Sequence, residues 1–231
     1  VSGARTPFVR ARTVFSRLPA SSLGGVALRE AVARAEVDPK LIEECYFGIV
    51  SPPAEGSNVA REALFDSGLP PTIAATTINR YCASSMEATA AILGKILSGQ
   101  IDVGLAGGVE SISSVRALFS QEATDFFQDL AKAKTTSQRL GLLRRFQPGF
   151  LAPHAPGIKE PTTGLTMGQS ADLMARQFGI SREAQDRYAV ESHQRAHAAW
   201  ERGFYKSHVV AVGTPDGKVI DRDTDIRPET T

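Results

Sequence analysis

Apolar runs bounded by glycine or proline alternate with helically spaced stretches over the first hundred residues. Val1-Ser2-Gly3-Ala4-Arg5-Thr6-Pro7-Phe8 reads as the end of a strand entering a turn. Ser21 or Ser22 can cap a helix over 21–35, with Val26, Leu28, Val32 and Ala35 on its apolar side. Asp38-Pro39 opens a short helix over 40–44, and Cys45-Tyr46-Phe47-Gly48-Ile49-Val50 has the composition of a buried strand. A helix over 58–66 is stopped by Gly68 and Pro70-Pro71. The β-branched run Ile73-Ala74-Ala75-Thr76-Thr77-Ile78 predicts a second buried strand. The stretch 83–98 is rich in Ala, Leu, Ile and Met, lacks proline and is followed by Gly99, as a helix with a C′ glycine is. A further buried strand, 101–108, ends in Gly107-Gly108, where the backbone can be approached closely, as at a ligand site. Strands alternating with helices in this way predict an α/β sheet layered with helices.

The pattern changes near Leu118. Phe119, Phe126, Phe127, Leu130, Leu140, Leu143, Phe146 and Phe150 alternate with polar residues at roughly helical spacing. Lys132, Lys134, Arg139, Arg144 and Arg145 add positive charge with no acid between them. This predicts an amphipathic helix pair with a basic face, suited to a membrane surface, a partner subunit or ligand phosphates. Pro148, Pro153, Pro156 and Pro161 predict an extended crossing, with His154 as an ordinary loop residue. Thr166-Met167-Gly168 opens a helix ending near Phe178-Gly179, and Ser181 caps the next, which runs to Arg202. Trp200 fits core or interface packing. A strand over 208–212, a turn at Thr214-Pro215-Asp216-Gly217-Lys218 and a returning strand over 218–220 complete the chain before a final loop.

Composition narrows the function classes. Lys plus Arg minus Asp plus Glu is 26 − 25 = +1, which gives no case for nucleic acid as a partner. With 231 residues and two cysteines the chain is no disulfide scaffold, so a reducing compartment is expected. No apolar run approaches the roughly 20 residues that span a bilayer, and no secretory signal is expected. The first residue is Val1, so a segment upstream is expected.

Cys82 carries the candidate chemistry. It falls between the 73–78 strand and the 83–98 helix, where free N–H groups and the positive dipole end favour thiolate over thiol. The competing reading is a small buried apolar side chain, and Cys45, inside a strand, fits that role. His193 and His197 are spaced i, i+4 as metal ligands can be, but no third ligand or H-E-x-x-H accompanies them, so no metal is expected.

Several motifs together resemble one family. Gly3-Ala4-Arg5-Thr6-Pro7-Phe8, Asn79-Arg80-Tyr81-Cys82-Ala83-Ser84-Ser85-Met86-Glu87-Ala88, Ala106-Gly107-Gly108-Val109-Glu110-Ser111, Met167-Gly168-Gln169-Ser170-Ala171-Asp172 and the run Gly179 to Ala196 stand in the order and spacing of the thiolases, the acyl-CoA:acetyl-CoA C-acyltransferases. The stretch from Phe119 to Pro161 looks most like the β subunit of the fatty-acid β-oxidation trifunctional protein and its bacterial relatives. The resemblance implies a thiolase-like layered α/β/α N-terminal domain with a mixed sheet over 1–117. It implies an inserted, mostly helical loop domain over 118–231.

It also implies roles. Cys82 matches the cysteine acylated by substrate, Met167 a position lining the coenzyme A site, and Arg227 an arginine near the adenine end of coenzyme A. Thr166 stands where many biosynthetic thiolases carry a histidine, which favours the degradative branch. The implied reaction is thiolytic cleavage of 3-ketoacyl-CoA in β-oxidation, with coenzyme A as substrate rather than cofactor. The activating histidine, the water-orienting asparagine and the second cysteine of the family are expected in a C-terminal half beyond Thr231, so this chain alone is expected not to turn over. The alternative is a non-catalytic CoA-thioester-binding or assembly subunit; a ketoacyl synthase is disfavoured by Gly107-Gly108-Val109-Glu110-Ser111. Expected partners are a second copy in a homodimer or tetramer, a hydratase/dehydrogenase α subunit, and a membrane surface contacted peripherally through 119–150. Bacterial cytoplasm or mitochondrial matrix is the implied compartment.

Overall fold

The computed structural model describes residues 1–54, 56–115, 118–153 and 159–231. His154 and Pro156 of the proline-rich crossing, and Ala117 at the expected domain boundary, lie outside the described residues. The chain divides into two compact units, Val1–Val115 with Arg182–Thr231, and Arg116–Ser181.

The core of the first unit is a parallel sheet of β1 (Glu44–Gly48), β2 (Ala74–Ile78) and β3 (Gly104–Gly108) in the order β2-β1-β3. In register, Glu44 to Gly48 face Ala74 to Ile78 on one side and Gly104 to Gly108 on the other. Three helices serve this sheet: α1 (Ala20–Ala35), α2 (Val59–Ser67) and α3 (Ser84–Leu97). Alternation along β1 assigns them to faces. Cys45 and Phe47 join Leu28 and Val32 of α1 and Ala60, Ala63 and Leu64 of α2 in the main apolar cluster. Glu44, Tyr46 and Gly48 point the other way, toward α3; Lys95 of α3 bonds Glu44 at 2.5 Å and lies over the Tyr46 ring. The result is the expected helix–sheet–helix layering. Among the described residues, antiparallel pairing occurs outside this sheet, in a separate hairpin near the end of the chain and in an isolated bridge between Lys159 and Thr166.

Several local expectations shift for physical reasons. Helix α1 begins after Pro19, whose φ of −66° already suits a helix start, and Ser22 instead bonds Asp66 of α2 at 2.9 Å. Its buried face runs through Leu23, Gly24, Gly25, Leu28 and Val32, while Ala35 is exposed. A Cβ on Gly25 would come within 2.9 Å of Asp66, so α1 and α2 cross where only glycine fits. The expected helix over 40–44 is a single 3-10 turn, Pro39–Leu41, capped by Asp38. Strand β2 is an edge strand with Ala74 and Thr76 exposed rather than a fully buried one.

The domain boundary also differs from the expected 118–231 grouping. Residues 182–231 belong with the first unit, tied back to its first residues. Helix α4 (Gln121–Lys132), α5 (Thr136–Leu143) and α6 (Met167–Gln177) make up the helical part of the second unit. Helix α7 (Arg182–Glu201), β4 (Val212–Gly213) and β5 (Val219–Ile220) belong to the first. Arg5 forms an isolated parallel bridge with Val209, which replaces the longer strand expected over 208–212. The Arg5 guanidinium grips Asp223 with bonds of 2.7 and 2.9 Å, and Asp223 also accepts from the Phe8 N–H at 2.7 Å and from Trp200 Nε1 at 3.0 Å. Trp200 is therefore a structural residue of this clasp.

In the second unit, Phe126 is the buried centre of an aromatic cluster with Phe127, Phe146 and Phe150, ring centroids 5.4–5.6 Å apart. Helix α5 starts with a capping box between Thr135 and Gln138. Two helices, α4 and α5, occupy the stretch where an amphipathic pair is expected; α4 buries Ala123 and Phe126, whereas α5 buries none of its residues.

Candidate active site

Cys82 is placed by the junction of β2 and α3. The strand ends at Ile78, the loop turns through Asn79 to Cys82, and α3 begins at Ser84 with Ala83 at its N-cap. The first turn of α3 lies on the carboxyl ends of β1 and β3. A Cβ on Gly108 would fall 2.7 Å from Ser85 Cβ and 2.9 Å from the Gly48 carbonyl oxygen. One on Gly48 would collide with the Ser84 and Ser85 backbone and come 2.7 Å from Ser84 Cβ. The glycine at the end of β3 is thus used for approach by a helix rather than by a ligand. Gly107 is filled from the opposite face by the Phe47 ring. Carboxyl ends of parallel strands are where open α/β sheets place their sites.

The loop is held by a short relay of hydrogen bonds. Asn79 Oδ1 accepts from the Tyr81 N–H at 3.1 Å. The Ser84 hydroxyl accepts from the Arg80 N–H at 2.9 Å and donates to the Tyr81 carbonyl at 2.5 Å. Between these bonds Tyr81 adopts φ +49°, a left-handed conformation that costs a non-glycine residue roughly 1–2 kcal/mol. Arg80 pairs with Glu87 across the first turn of α3. Tyr81 and Met86, each 75% exposed, flank the exposed Cys82.

The two thiols are physically distinct. Cys45 is 0% exposed in the middle of β1, and burial pushes its pKa up to about 12, so it stays a protonated, inert side chain. Cys82 is open to reagents. Among the described residues no three His, Cys, Asp or Glu side chains gather as a metal-binding group.

The other two candidate residues lie elsewhere. Met167 is the first residue of α6 in the second unit, 61% exposed and placed by a capping box between Thr166 and Gln169. Arg227 is in the terminal loop of the first unit, exposed, and is oriented by α7: its backbone N–H donates to His193 Nδ1 at 3.2 Å. With Nδ1 accepting, the neutral ring carries its proton on Nε2, so the Arg227 guanidinium, 3.4 Å from Nε2, is packed beside it. His193 thus serves Arg227.

Sequence reasoning missed Glu110 and the side-chain role of Asn79. Glu110 accepts from the Val50 N–H at 2.8 Å and the Ser51 N–H at 3.3 Å. Asn79 Nδ2 donates to the Val50 carbonyl at 2.9 Å. Both residues stood inside quoted motifs, but only contacts across three strand ends reveal what they hold.

Comparison with known proteins accords with this geometry. The family described as Thiolase, N-terminal domain matches residues 1–231. A 3-ketoacyl-CoA thiolase of Photobacterium profundum is 39% identical over 232 residues, covering 100% of this chain and 53% of the relative. Those of Aliivibrio fischeri and Vibrio cholerae are each 39% identical over 228 residues, covering 98% of this chain and 52% of theirs. The chain spans about half the length of the curated relatives it matches. On the extent of these matches, and with an exposed cysteine at the strand-to-helix turn of a layered α/β/α fold, the chain belongs to the thiolase family and corresponds to its N-terminal domain.

Proposed function

We propose that the chain is the nucleophile-bearing part of a 3-ketoacyl-CoA thiolase that serves fatty-acid β-oxidation, with Cys82 as the residue that becomes acylated. The observation that carries this reading is the placement of its two thiols. Cys82 is exposed in the turn before the N-terminus of α3, while Cys45 is sealed in β1. An exposed thiol can be reached by an acyl donor, whereas one sealed inside a strand cannot.

The Cys82 thiolate attacks the C3 carbonyl carbon of 3-ketoacyl-CoA. The C2–C3 bond breaks, its electron pair stays on C2, and protonation there releases acetyl-CoA. The acyl group remains on Cys82 as a thioester. The thiol of coenzyme A then attacks that thioester, forming the shortened acyl-CoA and returning Cys82. The Cys82 backbone N–H supplies one donor of an oxyanion hole. Arg227, held by His193 in the first unit, meets the adenine end of coenzyme A.

The acid–base groups of the reaction come from outside these residues. Relatives bearing the 3-ketoacyl-CoA thiolase name are about twice as long. His193 is engaged with Arg227, and His208 Nδ1 with the Phe204 carbonyl and Ser207. On this reading Cys82 takes an acyl group slowly in this chain without completing the cycle. Mass spectrometry after mixing with a 3-ketoacyl-CoA tests this: the adduct belongs on Cys82, and an undiminished adduct in Cys82→Ala refutes it.

Two outside contacts belong to the same proposal. A second copy fits the outer edge of β2, which pairs with no strand among the described residues, together with Met86, Leu93 and Leu97 on the exposed side of α3. The stretch 119–150 fits an anionic membrane surface or a hydratase/dehydrogenase subunit. Leu140, Leu143 and Phe146 are exposed there beside Lys132, Lys134 and Arg144. No helix among the described residues is long and apolar enough to cross a membrane.

A further inference from the structure

We infer that Glu110 and Asn79 are positioning residues that act through one shared residue, Val50, to hold the Cys82 loop in its attacking geometry. The inference rests on the reading of Cys82 as nucleophile and adds residues that act through it. Three segments leave the carboxyl ends of the sheet side by side: Ile49–Ser51 after β1, Asn79–Cys82 after β2, and Val109–Glu110 after β3. Glu110 reaches across to the first of these and takes two consecutive N–H groups, Val50 at 2.8 Å and Ser51 at 3.3 Å. The carbonyl of the same Val50 accepts from Asn79 Nδ2 at 2.9 Å. Asn79 Oδ1 then receives the Tyr81 N–H at 3.1 Å, one residue before Cys82. The Val109 N–H donates to the Gly48 carbonyl at 2.9 Å and fixes the segment after β3 against the end of β1.

The chemistry of this relay suits a positioning role. A carboxylate is an acceptor with two oxygens, which matches two successive backbone donors. A carboxamide both donates and accepts, so Asn79 can hand the Val50 constraint on to Tyr81. Tyr81 sits at φ +49°, a conformation it does not keep unaided. Losing either end of the relay frees Tyr81 toward φ below zero and swings the adjacent Cys82. A displacement of about 1 Å at a reacting atom costs on the order of 100-fold in rate.

The test uses the full chain and acetoacetyl-CoA as acyl donor, with iodoacetamide as a reagent indifferent to orientation. Glu110→Ala and Asn79→Ala each lower Cys82 acylation by at least about tenfold, toward the roughly 100-fold limit. Alkylation of Cys82 changes by no more than about threefold, because a small alkylating agent needs a thiolate but no aligned trajectory. The double variant is no slower than the worse single one within about twofold, since both residues act through Val50. Glu110→Gln, which keeps one acceptor oxygen, falls between wild type and Glu110→Ala. Cys45 stays unlabelled throughout, reporting an intact sheet.

Wild-type acylation in both single variants overturns the inference. So do multiplying losses in the double variant. Joint loss of acylation and alkylation with Cys45 labelled also overturns it, since that marks a general role in folding. Acylation that persists in Cys82→Ala strikes the nucleophile reading itself, whatever Glu110 and Asn79 do.

Discussion

Replacing Gly48 by alanine tests whether Cys82 is positioned by the seating of α3 on the sheet. The added Cβ would lie 2.7 Å from Ser84 Cβ and would overlap the Ser84–Ser85 backbone. No rotamer relieves a clash with main chain, so α3 must lift or β1 must bend. Overpacking of this kind costs about 1–3 kcal/mol. In a chain of 231 residues that lowers Tm by about 2–12 °C. The lifted end of α3 is the one adjoining Cys82, so acylation falls by up to about 100-fold if the shift nears 1 Å. Gly94→Ala is the matched control. It lies in the same helix, and its added Cβ meets nothing within 4 Å, so it raises stability by about 0.5–1 kcal/mol and leaves acylation unchanged. Thermal unfolding by circular dichroism and the acylation time course read both variants. A Gly48→Ala protein with unaltered Tm and rate would show that α3 does not rest on the ends of β1 and β3.

Other perturbations have defined outcomes. Asp223→Ala strands the Arg5 guanidinium and the Trp200 and Phe8 N–H groups, and lowers stability by about 3 kcal/mol in urea unfolding; a change below about 0.5 kcal/mol contradicts the clasp. Burial opposes ionisation of Asp223, but the bonds from Arg5, Phe8 and Trp200 and the Arg5 charge outweigh it and hold its carboxyl below the usual range. Its stabilisation is therefore complete above the unfolded value of about 3.9 and lost as pH falls through the lower folded value, an acid dependence that Asp223→Asn removes. Reversing Lys132, Lys134 and Arg144 to glutamate costs at least about 3 kcal/mol, or roughly 100-fold, in binding to anionic phospholipid vesicles; unchanged binding excludes the membrane contact. Arg227→Ala weakens coenzyme A binding by about tenfold in calorimetric titration, and equal affinity removes Arg227 from the site.

The parts of the fold legible in the sequence are those set by neighbours along the chain. Asn58 caps α2 through the Arg61 N–H, and Gly68 and Gly99 adopt φ of +76° and +69° just past helix ends, as their chemistry dictates. The turn that places Cys82 was legible too, because a β-branched run meets an alanine-rich one at that point. What local pattern could not show depends on residues far apart. Arg5 and Asp223 are separated by 218 positions, and their pairing is what moves 182–231 into the first unit. By composition Asp223 is simply one more acid near the end of the sequence. The backbone at 208–210 reads as a strand, but its His208 carbonyl and Val210 N–H are spent on Arg5 alone. Glu110 binds Val50 across 60 positions, so its part in the site emerges only once β1 and β3 are neighbours.

The central claim concerns the position of one covalent bond. The protein is mixed with a 3-ketoacyl-CoA, quenched in acid, digested, and its two cysteine-containing peptides are weighed. The account predicts an acyl adduct on the Cys82 peptide alone, with the Cys45 peptide unmodified and no adduct in Cys82→Ala. An adduct on any other residue, or one that survives Cys82→Ala, contradicts it.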